Sequence, residues 1–269
     1  MTDAVQIGRM PALELRGIGK SFGNVTALSH VDLAAHAGTI HALVGDNGAG
    51  KSTALKIMCG MHHPDQGQIR LSGAIVALRD AAQAHAHGIS VVHQDLALVE
   101  CLDIATNMAL GAIPRRGRLR LDRRRMESEA AAVLEKLKVR VGSVRTPVGL
   151  LSGGERQIVA IARAVRMDLP IILLDEPTAA LGVRETAHVA DILGELRRQG
   201  KAVICISHDM DFVFRNADAI TVMRLGRSLA TRRVGDTSRD EIIGLITGAI
   251  PGDAAGPETI LGEKGDCHA

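Results

Sequence analysis

Nine consecutive residues, Gly45-Asp46-Asn47-Gly48-Ala49-Gly50-Lys51-Ser52-Thr53, have the types and spacing of a phosphate-binding loop. An apolar stretch at 40–44 precedes them, and a helical pattern with Ala54, Met58 and Met61 on one face follows. The glycines let the backbone curl so that successive N–H groups and the helix N-terminus point at one anion. Lys51 adds positive charge for the β and γ phosphates, and Ser52 offers a hydroxyl to Mg²⁺. A second group, Ile171-Ile172-Leu173-Leu174-Asp175-Glu176, reads as an apolar strand delivering two carboxylates at its C-terminal end. Ligands of open parallel sheets bind at that edge, so Asp175 can approach a metal beside Ser52 despite the long sequence separation. Glu176 can then orient and deprotonate a water in line with the γ phosphate; its alternative is an exposed acidic turn before Pro177. A third group, Leu151-Ser152-Gly153-Gly154-Glu155-Arg156-Gln157, opens a helix with Ile158, Ile161, Ala162 and Val165 on one stripe. Ser152 and Glu155 read as a capping box, and the glycine-rich helix start is also a second anion site.

Positioning these groups requires alternating strands and helices. Apolar runs at 39–44, 89–92, 171–174 and 202–206 read as buried parallel strands, continuous because both faces are covered. Leu13 and Leu15 begin an earlier alternation. One helix carries Val189, Ile192, Leu193 and Leu196 at helical spacing and stops near Gly200. Another places Met126, Ala130, Val133, Leu134 and Leu137 on one stripe, with Asp122 at its N-cap. Between Gln94 and Leu151 the strand signals give way to helical ones, which implies a mainly helical subdomain inserted into the sheet core. The seven arginines between Arg115 and Arg125 read as a solvated face, with docking to an acidic surface as the alternative. From Pro251 onward periodicity disappears, so residues 249–269 are expected to form a disordered tail.

The 269 residues suit one large α/β domain or two small ones. With 32 Lys plus Arg against 30 Asp plus Glu, the chain is not a basic protein that holds nucleic acid by phosphate neutralisation. Its three aromatics, Phe22, Phe212 and Phe214, are too few for base-stacking platforms, so no nucleic-acid partner is expected. No uncharged apolar run approaches the roughly 18 residues of a membrane helix, and residues 1–15 show no secretory signal. A cytosolic location follows as the expectation. Cys59, Cys101, Cys205 and Cys267 form no CxxC pair and read as reduced thiols, three of them buried.

The heptapeptide 151–157, with the phosphate loop before it and the Asp-Glu strand after it, resembles the ABC transporter ATPases over about residues 13–248. The resemblance implies a P-loop NTPase (RecA-like) α/β core with an N-terminal antiparallel β subdomain, and a helical signature subdomain inserted at about 95–165 of a single domain spanning 11–248. It implies ATP binding by residues 45–53, catalysis by Lys51, Glu176 and His208, and Mg²⁺ held by Ser52, Gln94 and Asp175. Ser152, Gly153, Gly154 and Gln157 would bind the γ phosphate held by a partner subunit. Phe22 resembles the aromatic that stacks on adenine, its alternative being a core phenylalanine. Gln94 resembles the glutamine that reports nucleotide state to the helical subdomain, its alternative an ordinary strand-end polar residue. His208 resembles the histidine that contacts the γ phosphate, although a lone histidine is more often structural.

One position departs from the pattern: Gly182 stands where many ABC ATPases carry an aspartate, which puts that dimer contact in doubt. The variant looks like the carbohydrate-importer branch of fructose, ribose and xylose type. A homodimer with two equivalent ATP sites is therefore expected, bound peripherally to membrane permease subunits on the cytoplasmic side of the bacterial inner membrane, with a periplasmic sugar-binding protein and fructose as the first candidate. A soluble ABC ATPase acting on DNA or ribosomes is the alternative; such proteins generally show long coiled coils or paired ATPase domains. A P-loop kinase or GTPase leaves the heptapeptide unexplained.

Overall fold

The structure is a computed structural model that describes residues 10–117, 120–139 and 141–253. It opens with a hairpin, β1 (Leu13–Phe22) and β2 (Val25–Ala35), and then β3 (Ile40–Gly45) leads through the phosphate loop into α1 (Lys51–Met58). A second hairpin, β4 (Gln66–Leu71) and β5 (Ala74–Val76), is followed by α2 (Ala81–Ala86) and β6 (Ile89–Val92). The inserted segment holds α3 (Ile104–Ala109), a small hairpin of β7 (Arg115–Arg116) and β8 (Arg120–Leu121), and α4 (Arg123–Lys136). Then come α5 (Gly153–Arg166), β9 (Ile171–Asp175), α6 (Val183–Arg198), β10 (Ala202–Ile206), α7 (Met210–Asn216), β11 (Ala219–Arg224), β12 (Arg227–Arg233) and α8 (Arg239–Thr247).

Ten strands join in the order β5-β4-β1-β2-β12-β11-β3-β10-β9-β6. The half from β11 to β6 is parallel and the half containing β1, β2, β4 and β5 is antiparallel. In β9 and β10 every residue is buried, as expected of parallel strands covered on both faces. One cover is α6, whose Val189, Ile192, Leu193 and Leu196 are buried and which ends just before Gly200 at φ +78°. On the helical subdomain, Asp122 caps α4 by accepting from Arg125 N at 3.1 Å, while Met126, Ala130 and Leu134 face inward.

Three expectations change and a fourth gains detail. α1 ends at Met58, and Met61 lies beyond it, half exposed at 50% rather than on the buried face. The inserted segment is mainly helical and also holds the β7–β8 hairpin, into which the arginine-rich run folds before α4. Cys101 is exposed while Cys59 and Cys205 are buried; Cys267 lies outside the described residues. Finally, the chain stays attached past residue 249: Asp253 N donates to Leu229 O at 2.8 Å and its carboxylate accepts from Arg232 at 2.9 Å. Residues 254–269 lie outside the described ones. Among the described residues no helix is long and apolar enough to cross a membrane.

A buried polar chain crosses the sheet behind the site. His41 on β3 is 2% exposed, with Nε2 2.7 Å from Thr221 Oγ1, itself 2.8 Å from Thr231 Oγ1. Burial, with a smaller contribution from His36, holds His41 at about 4, far below the ordinary 6.5. Above pH 6.5 the imidazole is neutral in both states and its contribution is fully present. Between 6.5 and 4 the unfolded chain takes up a proton that the folded chain refuses, so stability falls as pH falls, by about 3 kcal/mol in all at roughly 1.4 kcal/mol per pH unit. Urea unfolding between pH 7.5 and 4.5 should show this loss, and His41→Gln, which cannot titrate, should flatten that part of the slope. An unchanged slope would remove His41 as its source.

Candidate nucleotide-binding site

The parallel register brings four strand ends to one edge. Leu43 of β3 pairs with Ile206 of β10, Ile206 with Asp175 of β9, and the adjacent Leu174 with Val92 of β6. Neighbouring parallel strands lie about 4.8 Å apart, so the residues following each end are forced together. A cavity of about 700 Å³ opens there, lined by residues 47–53 together with Gln94, Asp175, Glu176 and His208. Its far wall is Val25, Thr26, Ala27, Leu225 and Gly226.

The loop's shape follows from its glycines. Gly50 caps α1 at φ +98°, a left-handed conformation that costs glycine no Cβ strain. At Gly45 a Cβ would fall 2.2 Å from Met223 O on β11, so no side chain fits between those strands. The loop is also latched from outside, since Gly226 N donates to Ala49 O at 3.1 Å while Ser29 N donates to Gly226 O at 2.8 Å. Within it, Lys51 Nζ donates to Gly45 O at 2.7 Å and Asp46 O at 2.9 Å. Burial pushes the Lys51 ammonium below its usual range, and the carboxylates of Glu176, Asp46 and Asp175 pull it back.

The two acids have different surroundings. Asp175 is 8% exposed, and its carboxyl is raised first by burial and then by Glu176, against the opposing charges of His93, Lys56 and Lys51. Glu176 sits at φ +51°, left-handed and directly before Pro177, a backbone state that costs on the order of 1–3 kcal/mol. It is held there from both ends: its N–H donates to Ile206 O at 3.0 Å, and its Oε2 accepts from His208 Nδ1 at 2.8 Å. A carboxylate fixed by a neighbouring imidazole at the mouth of a phosphate cavity is arranged to hold and deprotonate a water.

Not every expected residue is in the cavity. Gly45 and Asp46 contribute carbonyls to Lys51 rather than lining. Phe22 lies off the lining, 44% exposed, with its ring edge-on to His62 at 5.1 Å between centroids. Val25 lines the wall instead. Ser152, Gly153 and Gly154 begin α5 away from this cavity; Gly153 and Gln157 border a smaller cleft of about 350 Å³ with Gln94, Ala179 and Leu181. Gln157 is 7% exposed, and its Nε2 is buried with no hydrogen-bond partner among the described residues.

Sequence reasoning missed the residues that set the Gln94 loop. Arg163 on α5 donates to Leu96 O and Ala97 O, both at 2.7 Å. Asn107, fully buried, accepts from Val99 N and donates to the carbonyls of Val99, Leu102 and Asp103. Arg163 follows the heptapeptide by less than two helical turns, which was the available signal; Asn107 offered none.

The ABC transporter family profile matches residues 28–179. The fructose import ATP-binding protein FrcA of Rhizobium meliloti is 41% identical over 246 residues, covering 89% of this chain and 95% of that protein. The chain belongs to the ABC transporter family. A ribose/galactose/methyl galactoside import ATP-binding protein of Burkholderia lata is also 41% identical, over 239 residues that make up 88% of this chain but 46% of the relative. The chain thus spans about half the length of several curated relatives it matches. Among solved structures, the dimeric cassette MJ0796 in a post-hydrolysis state bound to ADP and Pi aligns with a TM-score of 0.71 at 26% identity, over 82% of this chain and 98% of that one. The fold is that of an ABC cassette, a P-loop NTPase core with mixed α and β structure.

The start of α5 in this cassette is closed by a reciprocal pair: Glu155 N donates to Ser152 Oγ at 3.2 Å and Ser152 N donates to Glu155 Oε2 at 2.8 Å. Ser152→Ala should cost about 1 kcal/mol of stability, read as a shift of the urea midpoint with an unchanged slope. A loss below a few tenths would mean that the cap contributes little here.

Proposed function

We propose that the chain is the ATP-binding and ATP-hydrolysing subunit of a bacterial ABC importer. In this reading ATP hydrolysis in a homodimer drives uptake of a monosaccharide through a separate permease. The observation that carries it is the convergence of Lys51, Ser52, Asp175, Glu176 and His208 on one cavity that the signature residues 152–154 do not line. A second copy, contributing its own signature turn, would complete the site, and the dimeric form of MJ0796 supports that arrangement.

In the resulting mechanism the loop N–H groups and the α1 N-terminus bind the phosphates, and Lys51 offsets the charge of the β and γ groups. Ser52, Gln94 and Asp175 share the cavity and present hydroxyl, amide and carboxylate oxygens, a donor set that fits Mg²⁺. When bound there, Mg²⁺ screens the phosphate oxygens from one another. Glu176 orients a water and accepts its proton, while His208 keeps the carboxylate aimed. Loss of the γ phosphate removes the charge that bridges the two subunits, so they reopen and reset the permease. The relatives' names favour a sugar of fructose or ribose type, with fructose first because FrcA matches over nearly its whole length. A cytoplasmic, peripheral position on the inner membrane and a periplasmic sugar-binding protein complete the proposal.

Two substitutions separate binding from chemistry. Lys51→Ala should lose most nucleotide affinity and turnover. Glu176→Gln should bind ATP as the wild type does, lose on the order of 10²–10⁴ in phosphate release, and accumulate an ATP-bound dimer on gel filtration. Wild-type hydrolysis by Glu176→Gln would end its assignment as base. For transport, gentle membrane solubilisation with the tagged chain should recover a polytopic permease by mass spectrometry; recovery of ribosomal or DNA-associated partners alone would overturn the importer.

A further inference from the structure

The loop after Glu176 and the start of α5 lie side by side, with Ala179, Ala180 and Leu181 lining one cleft with Gly153, Arg156 and Gln157. Glu185, in the first turn of α6, packs against both Gly154 of the signature turn and Gly182, the N-cap of its own helix. A Cβ on Gly154 would lie 2.4 Å from Glu185 Cγ, and a Cβ on Gly182 would lie 2.6 Å from Glu185 Oε2. The second distance is informative. Two covalent bonds, roughly 2.4 Å, separate the Cβ of an aspartate from its own carboxylate oxygens. Glu185 therefore holds an oxygen about as far from the Cβ site of residue 182 as an aspartate's carboxylate there would be. Among the described residues Glu185 has no hydrogen-bond or ion-pair partner, whereas the nearby Glu155 is committed to the cap of α5. The half-buried Glu185 carboxylate is thus held by packing between the two turns and remains available.

We propose that Glu185 is a positioning residue whose carboxylate, held between Gly154 and Gly182, braces the signature turn against the loop following Glu176. The glycine at 182 and the glutamate at 185 then form one linked pair. An aspartate at 182 would set two carboxylates in contact, where like charges repel, although Lys138, Arg184 and His188 line the same cleft as Glu185 without an ion pair to it. With Glu185 shortened, the same aspartate would restore one carboxylate to its place. Glu185 lines no part of the nucleotide cavity, so its effect should fall on assembly and turnover rather than on the first binding of nucleotide.

The proposal rests on the dimeric ATPase reading, and a substitution cycle tests the two apart. Steady-state phosphate release, fluorescent-nucleotide binding at low protein concentration, and ATP-induced dimerisation in a Glu176→Gln background are measured for each variant. Gly182→Asp alone and Glu185→Ala alone should each lower kcat by about tenfold, equivalent to roughly 1.4 kcal/mol, with nucleotide affinity unchanged. Gly182→Asp with Glu185→Ala should recover to within about threefold of wild type, and Gly182→Asn with Glu185→Ala, matched in shape but neutral, should not. A brace that acted by bulk alone would not distinguish Asp from Asn. If Gly182→Asp is as active as wild type, or the Asp/Ala pair is no better than Glu185→Ala, the assignment of Glu185 is wrong while the ATPase stands. If wild type shows neither ATP turnover nor an ATP-dependent dimer, the function proposed for the cavity and the role of Glu185 fall together.

Discussion

A lysine ammonium satisfied by neutral carbonyls is the contact on which the site depends. Lys51 Nζ donates to Gly45 O and Asp46 O, and among the described residues it makes no ion pair. An ammonium has three donors, so this arrangement leaves one unspent and the charge without a counter-ion in contact. Had Asp175 closed on Lys51 directly, an incoming phosphate would have to separate a half-buried ion pair, which is strongly unfavourable. The carboxylates instead act from a distance, keeping the buried amine charged without occupying it. That geometry requires the tight turn at Gly45, which only a residue without Cβ can make against Met223, and the external latch from Gly226 to Ala49.

The same economy of contacts links the sheet to the helical subdomain. Gln94 leaves β6 beside the cavity, and the segment after it is tied to α5 by Arg163 and to α3 by Asn107. Arg166, one turn further along α5, reaches the carbonyls of Met108 and Ala112 and the carboxylate of Glu129 at 2.6 Å. α5 thus carries the signature turn at one end while its arginines hold the Gln94 segment and the subdomain helices. Packed and hydrogen-bonded groups join the Gln94 segment to the helix that begins with the signature turn.

What the sequence made legible was whatever burial on two faces or a fixed local geometry imposes. The runs at 89–92 and 202–206 are strands with those same bounds: 202–206 is buried at every position, and the one polar residue of 89–92, Ser90, is buried with its hydroxyl donating to Ala164 O at 3.2 Å. Capping at Asp122 and Ser152 was equally readable, since the cap depends on residues three apart. The pairing of β11 with β12 was not, because β12 is half covered and carries Arg227, Arg232 and Arg233, so no apolar run marks it. Leu225 and Gly226, in the turn between those strands, consequently went unnoticed as part of the cavity wall. Residue type alone did not give the surroundings of Phe22, which stands exposed and edge-on to His62, off the lining of the cavity. The seven-arginine run likewise hid a hairpin, because two-residue strands leave no periodicity to read.

Asp175 and Glu176 are adjacent in sequence yet face different problems, and the difference fits the separate roles proposed for them. Burial makes charge on Asp175 costly, and the neighbouring Glu176 makes it costlier still. A carboxylate in that position is stabilised by any cation that reaches it, which suits a metal ligand and poorly suits a base that must cycle its proton. Glu176 turns away through its left-handed backbone, and its side chain, 15% exposed, meets an imidazole that is 72% exposed. Water can reach that pair, and the imidazole limits where the carboxylate points. The division follows from one residue of chain: the last position of a buried strand is held in the sheet, and the next is free to leave it. A Pro at 177 then prevents the chain from continuing as strand or helix in register with β9, which fixes the departure at Glu176.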